Sequence, residues 1–389
     1  MWESDRVKDI PFSGIRKIFE QATILQEKGY DVIHLELGRP DFDTPMHIKE
    51  AAKKSLDEGF VHYVSNYGFP PLRKLIAEKM AKENNVEVDP AKEVLVTAGA
   101  TEAIYLALSS TLNPGDEILV SDPSWVNYFN LPRLIDVRVK TYHLNEKNNF
   151  KPEIEQIESL IGKKTRMIII NSPNNPAGSI LEKEELMKMA QLAIDNNLLV
   201  LSDEVYEKLI YDNVKHASIA SIKEVKNRVI TVNSFSKTYS MTGWRLGYVI
   251  ASPSNIDSMV RIHQQVTASC CSFGQVGAIA ALSGPQTCVN NMVMEFERRR
   301  NLVVERLNKI SGINTIKPRG AFYAYPNISE TGLSGEEFAT KLLELNKVAT
   351  VPGIAFGQTR KDYIRLSYAN SYEKLADAME RIHDFVSHL

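Results

Sequence analysis

Cysteine is scarce in this sequence, with only Cys270, Cys271 and Cys288 among 389 residues. Their number is odd and they form no Cys-x-x-Cys, which argues against a disulfide framework or a zinc knuckle. The eight histidines are scattered without the spacing of metal ligands, so we expect no metal site. A reducing cytoplasm fits this composition best.

Long apolar runs and an excess of one charge are also missing. No stretch of about 18 consecutive apolar residues occurs, and the start Met-Trp-Glu-Ser-Asp-Arg does not resemble a secretory signal. The 46 basic residues against 48 acidic ones leave a formal net charge of −2 and no basic field for a polyanion. We therefore expect a cytoplasmic protein that binds neither nucleic acid nor a membrane.

What the sequence does contain is an ordinary globular mixture, with 43% hydrophobic and 24% charged residues. Its middle part alternates short apolar runs, typical of buried strands, with amphipathic stretches, typical of helices. The predicted strands are 93–99, 116–122, 166–172, 198–203, 228–234 and 246–252, and two predicted helices are 101–112 and 182–196. This alternation predicts an α/β fold with a mainly parallel sheet wrapped by helices.

The pattern changes after about residue 285, where a long charged helix over 294–310 precedes a few strand-like pieces and two more helices. Ser334 and Glu337 form a predicted capping box. Helical spacing places apolar residues on one face in each of the last two helices: Phe338, Leu342 and Leu345, then Leu375, Met379, Ile382 and Val386. We predict a large domain over 46–285 and a smaller α/β domain made of 1–45 and 286–389.

Polar residues follow several predicted strands at the point where each strand ends. They are Thr101, Asn175, Asp203, Ser234, Ser236 and Lys237. Taken singly, each is most simply a cap, a turn residue or a solvated lysine. Because the carboxyl ends of parallel strands meet at one edge of a sheet, we expect these side chains to converge on a ligand site.

The chemistry of that site centres on Lys237. A lysine just past a buried strand, with Arg245 nearby, is expected to have a lowered pKa, and Schiff-base chemistry requires the neutral amine. The neighbouring hydroxyls and guanidinium suit a phosphate, as do the free backbone N–H groups where Gly99, Ala100 and Thr101 begin a helix. A reactive lysine beside a phosphate cradle points to pyridoxal phosphate.

A series of motifs runs along almost the whole chain: 37–45 (LGRPDFDTP), 63–68, Leu72-Arg73, 174–178 (NNPAG), 203–206 (DEVY), 234–247, 320–323 (GAFY) and 363–367 (YIRLS). In their residues, order and spacing they resemble the class I/II pyridoxal-phosphate-dependent aminotransferases of fold type I. The similar branch contains prokaryotic aspartate and aromatic amino-acid aminotransferases. The resemblance implies a large domain with a mainly parallel seven-stranded sheet, plus a smaller α/β domain.

The resemblance also implies roles for residues around the cofactor ring. Lys237 would bind the cofactor as a Schiff base and later carry the proton that leaves the substrate. Asp203 would keep the pyridine nitrogen protonated, which suits a ring that must accept electrons. Tyr206 and Asn175 would hydrogen-bond the phenolic oxygen, and Trp125 would stack on the ring.

Further residues are implied to bind the phosphate and the substrate. Those expected at the phosphate are Gly99, Ala100, Thr101, Ser234, Ser236 and Arg245, with Tyr63 reaching it from a neighbouring subunit of a homodimer. Arg365 would bind the substrate α-carboxylate, with Gly38, Trp125 and Asn175 beside it. The implied reaction is a ping-pong transfer of the amino group from an L-amino acid to a 2-oxo acid, 2-oxoglutarate in many relatives.

The preferred donor stays open between aspartate and an aromatic amino acid. Thr101 stands where aspartate-specific relatives often have lysine, whereas Trp125 resembles the aspartate enzymes. Arg39 stands where relatives frequently have an acidic or amide residue. It could supply a compensating charge or be an ordinary solvated loop residue.

Other classes of protein were weighed against this reading. Ser234 and Lys237 match Ser-x-x-Lys of serine β-lactamases, but Ser-Asp-Asn and Lys-Thr-Gly are absent, which argues against a hydrolase. Nucleotide-binding glycine motifs and His-Glu-x-x-His are absent as well. A β-lyase acting on a C–S bond with the same fold, and a non-catalytic regulatory domain, remain as alternatives.

Overall fold

The buried apolar runs of the sequence become strands in a computed structural model that describes residues 2–8, 10–12 and 14–389. The strands are β1 (Ile33–His34), β2 (Val94–Thr97), β3 (Glu117–Asp122), β4 (Arg138–His143), β5 (Thr165–Asn171), β6 (Leu199–Asp203), β7 (Val229–Ser234), β8 (Gly247–Ile250), β9 (Tyr323–Ala324), β10 (Val348–Ala349), β11 (Val351–Pro352) and β12 (Ile364–Ser367).

Helices connect and cover these strands. The α-helices are α1 (Asp5–Lys8), α2 (Gly14–Glu27), α3 (Met46–Asp57), α4 (Pro70–Asn84), α5 (Ala100–Thr111), α6 (Asn127–Asn130), α7 (Ile154–Leu160), α8 (Lys183–Asp195), α9 (Phe235–Thr238), α10 (Pro253–Val266), α11 (Ser272–Ser283), α12 (Thr287–Leu307), α13 (Gly335–Asn346) and α14 (Tyr372–Ser387). Short 3₁₀ helices span Pro132–Ile135, Glu146–Asn148, Ile219–Ser221, Lys226–Arg228, Thr242–Trp244, Ser329–Thr331 and Gly353–Phe356. None of the helices in the described part of the chain is long and apolar enough to cross a membrane.

Seven strands form the main sheet, in the order β2-β8-β7-β6-β5-β3-β4. All neighbouring pairs are parallel except those of β8, which runs antiparallel to both β2 and β7. The six strands predicted from apolar runs all belong to this sheet, and the mainly parallel seven-stranded sheet is confirmed. The pattern of apolar runs did not locate β4, because this edge strand buries only Tyr142 fully.

Local sequence explains where several helices begin. Helix α8 starts with a capping box formed by Glu182 and Glu185. The predicted capping box of α13 is confirmed, since the Glu337 N–H donates to Ser334 Oγ at 3.3 Å and the Ser334 N–H donates to Glu337 Oε2 at 3.0 Å. Leu345 was wrongly placed on the apolar face of α13. It lies in the last turn of the helix and is 69% exposed.

The N-terminal segment packs with the C-terminal part of the chain. Strand β1 pairs in parallel with β10, and a separate sheet has the order β11-β12-β9 with antiparallel pairing. A small apolar cluster joins Ile18, Ala22 and Val32 to Leu343 and Ala349. On the basis of these contacts we propose that the chain forms a large domain over 46–285 and a small domain made of 1–45 and 286–389.

Candidate active site

A cavity of about 380 Å³ opens at the carboxyl edge of the main sheet, where the parallel strands β3, β5, β6 and β7 end. This volume lies in the range of small-molecule sites. The residues predicted from the sequence that line it are Gly38, Ala100, Thr101, Trp125, Asn175, Asp203, Tyr206, Ser234, Ser236, Lys237, Arg245 and Arg365. Gly99 lies next to the lining as the N-cap of α5, whereas Tyr63 lies outside it and is 88% exposed.

Lys237 is held in this cavity on the short helix α9, directly after β7. Its Nζ donates a hydrogen bond to the carbonyl oxygen of Gly38 at 2.5 Å. Burial, together with the positive charges of Arg365 and Arg245, lowers the pKa of Lys237 to about 8, although the charge of Asp203 opposes the shift. The enclosed amine is therefore neutral in a larger fraction of molecules at physiological pH than a solvated lysine.

Asp203 ends β6 and is buried on the floor of the cavity. Burial raises the pKa of Asp203 to about 6, against two hydrogen bonds that favour the carboxylate. These are donated by the hydroxyl of Tyr128 at 2.5 Å and by the Val205 N–H at 3.1 Å. A positive charge facing Asp203 in the cavity would favour the ionised carboxylate.

Two cavity residues around Asp203 were missed by sequence reasoning. Tyr128 follows Trp125 by one helical turn, and the two rings meet edge to face with centroids 5.4 Å apart. Asn171 donates from Nδ2 to the Asp203 carbonyl at 3.0 Å and accepts from the Asn175 N–H at 2.8 Å. The position of Asn171 as the last residue of β5 was the signal that could have identified it.

One end of the cavity gathers hydrogen-bond donors suited to a phosphate. The Ser234 and Ser236 hydroxyl oxygens lie 2.9 Å apart, and Arg245 lies beside them with Nη1 donating to the Thr242 carbonyl at 3.1 Å. No side chain caps the N-terminus of α5, where Gly99 has φ +82°. The positive φ favours glycine at this position, and a Cβ there would also lie 2.5 Å from Arg245 Nη2 and displace that side chain.

Arg365 also lines the cavity and is only 1% exposed. Its Nη2 donates to the carbonyl oxygen of Glu36, its Nη1 donates to Asn175 Oδ1 at 3.3 Å, and its Nε has no hydrogen-bond partner among the described residues. The guanidinium carbon lies 4.5 Å from the ring centroid of Tyr323. Burial lowers the pKa of Arg365, although an arginine keeps its charge at physiological pH. A buried cation facing a cavity is suited to bind an anion.

Tyrosine hydroxyls connect the two sides of the cavity. Tyr206 and Tyr323 share a hydrogen bond of 2.9 Å between their hydroxyl oxygens. A Cβ on Gly38 would lie 2.6 Å from the Tyr323 hydroxyl oxygen, so glycine lets the backbone approach this side of the cavity. Sequence reasoning quoted Tyr323 only as part of a motif and gave it no role.

The chemistry of these groups fits pyridoxal phosphate. The uncapped α5 terminus with its hydroxyls and Arg245 matches the phosphate, the carboxylate of Asp203 matches a ring nitrogen, and the amine of Lys237 matches an aldehyde. Arg365 remains for a carboxylate.

A second cluster of ionisable residues lies outside this cavity, with carboxylate oxygens of Glu204 and Glu207 and a ring nitrogen of His216 all within 4.8 Å of one another. Each is engaged by protein groups. Glu204 Oε2 lies 2.9 Å from His216 Nε2, and Glu207 forms an ion pair with Lys79. Asn84 Nδ2 donates to Glu207 Oε2 at 2.9 Å. The cluster is a satisfied buried network.

Comparison with known proteins agrees with this site. Residues 30–382 match the sequence profile of the family described as aminotransferase class I and II. The chain is 47% identical to the aspartate aminotransferase of Pyrococcus abyssi and 44% identical to aromatic-amino-acid aminotransferase 2 of Thermococcus litoralis, with 97% of both chains covered in each case. The solved structure of Thermus thermophilus aspartate aminotransferase with maleate matches with a TM-score of 0.95 at 34% identity, over 100% of both chains.

The chain therefore belongs to the aminotransferase class I and II family. It is a pyridoxal-phosphate-dependent aminotransferase that acts on amino acids and 2-oxo acids. The relatives give no support to the β-lyase or regulatory alternatives.

Proposed function

We propose that the residues of this cavity carry out the transfer in the roles that the sequence predicted. The observation that carries the proposal is the position of the Lys237 amine, which is enclosed with a lowered pKa in the same cavity as Asp203 and Arg365. The same cavity contains the phosphate cradle and the buried guanidinium of Arg365, and the charges of Arg245 and Arg365 both act on the amine. This arrangement suits a phosphorylated cofactor and an amino acid bound together.

Bound pyridoxal phosphate supplies an aldehyde that reacts with amines and a ring that accepts the electrons released when the substrate loses its Cα proton. Asp203 would hold the ring nitrogen in its charged form, and Tyr128 keeps the carboxylate oriented by its hydrogen bond. The Lys237 amine would take the proton from the substrate Cα and pass it to the former aldehyde carbon of the bound group, and it would move a proton in the reverse direction in the second half-reaction.

The residues around Arg365 orient the substrate. Arg365 binds the α-carboxylate as a planar fork, while Asn175 and Glu36 hold the fork in place. Gly38 keeps this side open to the substrate. Trp125, which lines the same cavity, would lie against the bound ring, and together with Arg365 it would hold the substrate Cα toward Lys237 in one orientation.

The oligomer is also a proposal. Tyr63 is 88% exposed and the nearby Val61 is 55% exposed, which is unusual for large apolar side chains in a short segment. A homodimer that buries this segment and brings Tyr63 to the phosphate of the second subunit accounts for both features. Mixing Tyr63→Ala and Lys237→Ala variants should then restore part of the activity in mixed dimers, whereas monomers in solution would contradict the proposal.

The names of the relatives support aspartate or an aromatic amino acid as the amino-group donor. The scarcity of cysteine supports a cytoplasmic location. The test is to mix holoenzyme with single L-amino acids and follow the visible absorbance of the cofactor. A true donor should bleach the band and release its 2-oxo acid, and 2-oxoglutarate should restore the band. Pyruvate and ammonia released from cystathionine without an acceptor would contradict the proposal in favour of the lyase.

A further inference from the structure

The charged residues that line the cavity are unequal in sign. Among the residues that the structure describes, the lining cations are Arg39, Lys237, Arg245 and Arg365, and the lining carboxylate is Asp203. The proposed function uses three of these cations, for the amine chemistry, the phosphate and the α-carboxylate. Arg39 is the lining cation left without a role, and it points to an additional negative charge in the ligand.

The backbone that carries Arg39 is held from both sides. Arg365 donates to the carbonyl of Glu36, and Lys237 donates to the carbonyl of Gly38 at 2.5 Å. Beyond Arg39, Asp41 forms an ion pair of 2.7 Å with Arg299. The segment is therefore fixed to Lys237 and Arg365, the two groups that are proposed to meet the substrate. Arg39 directly follows Gly38, whose carbonyl accepts the hydrogen bond from the Lys237 amine.

The side chain of Arg39 is not engaged by the protein. It is exposed at the cavity and forms no hydrogen bond, ion pair or ring contact with the part of the chain that the structure describes. Its neighbour in the sequence on the cavity side, Gly38, has no side chain to obstruct it. A guanidinium in this state loses few interactions when it binds a carboxylate.

Thr101 also lines the cavity, next to the phosphate cradle, and carries no charge. Among the described residues of this chain, the lining therefore contains no cation besides Arg39 that is free for a side-chain carboxylate. We propose that Arg39 is the specificity residue that binds the second carboxylate of dicarboxylic substrates, such as aspartate, glutamate and 2-oxoglutarate.

This inference rests on the proposed function, and single half-reactions test the two separately. The rate of bleaching divided by the dissociation constant is measured for aspartate and for phenylalanine with wild-type holoenzyme, Arg39→Gln, Arg39→Lys and Arg306→Gln. Arg306 is an exposed residue of α12 and controls for the lost charge. Half-reactions avoid an acceptor that itself has two carboxylates.

We expect Arg39→Gln to lower the aspartate-to-phenylalanine ratio about 10-fold or more, the usual scale of one charge-assisted pair. Arg39→Lys should keep part of the wild-type preference for aspartate, and Arg306→Gln should leave the aspartate-to-phenylalanine ratio unchanged. Added salt should weaken aspartate selectivity in the wild type and not in Arg39→Gln, because exposed pairs are screened. By calorimetry, succinate should lose affinity for Arg39→Gln holoenzyme while butyrate should not.

Three results would overturn the assignment. They are an unchanged ratio in Arg39→Gln, an equal loss for both donors, or the same loss in Arg306→Gln. Failure of the wild type to bleach with every donor would instead refute the proposed function itself.

Discussion

Replacing Arg365 by leucine removes the guanidinium that faces the cavity while keeping an apolar side chain in a position that is 1% exposed. Arg365 donates to the Glu36 carbonyl and to Asn175, and its Nε is unpaired among the described residues. A desolvated substrate carboxylate that loses this partner stays buried without a counter-charge. Truncation of one member of such a pair costs about 3–4 kcal/mol.

This loss corresponds to a weakening of amino-acid binding by about 10²- to 10³-fold. The assay is a titration of holoenzyme with the donor, in which bleaching of the visible band gives both the dissociation constant and the limiting rate. We expect the dissociation constant to carry most of the loss, because the α-carboxylate is bound before and during the chemical step. Arg365→Lys should recover little, since an ammonium lacks the planar fork.

A variant that simply fails to fold would also lose binding. The visible band and the thermal unfolding midpoint of the variant holoenzyme control for this, because they report cofactor binding and folding separately from binding of the substrate carboxylate. Binding that is unchanged in Arg365→Leu with an intact band would refute the reasoning about the α-carboxylate.

Other predictions follow from the buried groups. Tyr128→Phe removes a hydrogen bond that lowers the pKa of Asp203, so this pKa should rise and the acidic limb of the kcat profile should move to higher pH. Lys79→Met leaves the buried Glu207 unpaired and should lower the free energy of unfolding by about 3–5 kcal/mol in denaturant titrations. Burial alone would raise the pKa of Glu207, but Lys79 and its neighbours lower it to about 2. The stability that the ionised Glu207 contributes through this pair is therefore present above pH 4.5 and is lost as the pH falls toward 2. Covalent capture of pyridoxal phosphate by the apoprotein should accelerate through pH 8, because the pKa of Lys237 is about 8 and the neutral amine attacks.

Each of these has a control or a contrary outcome. An unmoved acidic limb in Tyr128→Phe would contradict the role of the hydrogen bond. Lys309→Met breaks an exposed pair with Glu305 and should leave the free energy of unfolding almost unchanged, because water screens such pairs. A capture rate that rises only near pH 10.5, the ordinary value for lysine, would contradict a lowered pKa for Lys237.

The central strands and the catalytic edge could be predicted from the sequence because both depend on local patterns. Fully buried parallel strands are continuous apolar runs, and residues such as Asp203 and Lys237 stand directly at their ends. Strand β4 was not predicted because it is an edge strand that is only partly buried, and its charged residues interrupt the apolar run.

Tertiary contacts explain what the sequence could not reveal. The hydrogen bond from Tyr128 to Asp203 joins residues separated by 75 positions, and no spacing rule connects them. Leu345 satisfies helical periodicity and is nevertheless 69% exposed, because periodicity does not report where a helix leaves the core. The free state of Arg39 likewise becomes visible only when its surroundings are known.

The covalent role of Lys237 can be tested directly by treating holoenzyme with borohydride and locating the reduced cofactor by peptide mass spectrometry. The enclosed amine with its lowered pKa predicts that the label lies on Lys237 and is absent from Lys237→Ala. A label on another lysine, or none on a protein that still transfers amino groups, would contradict the account.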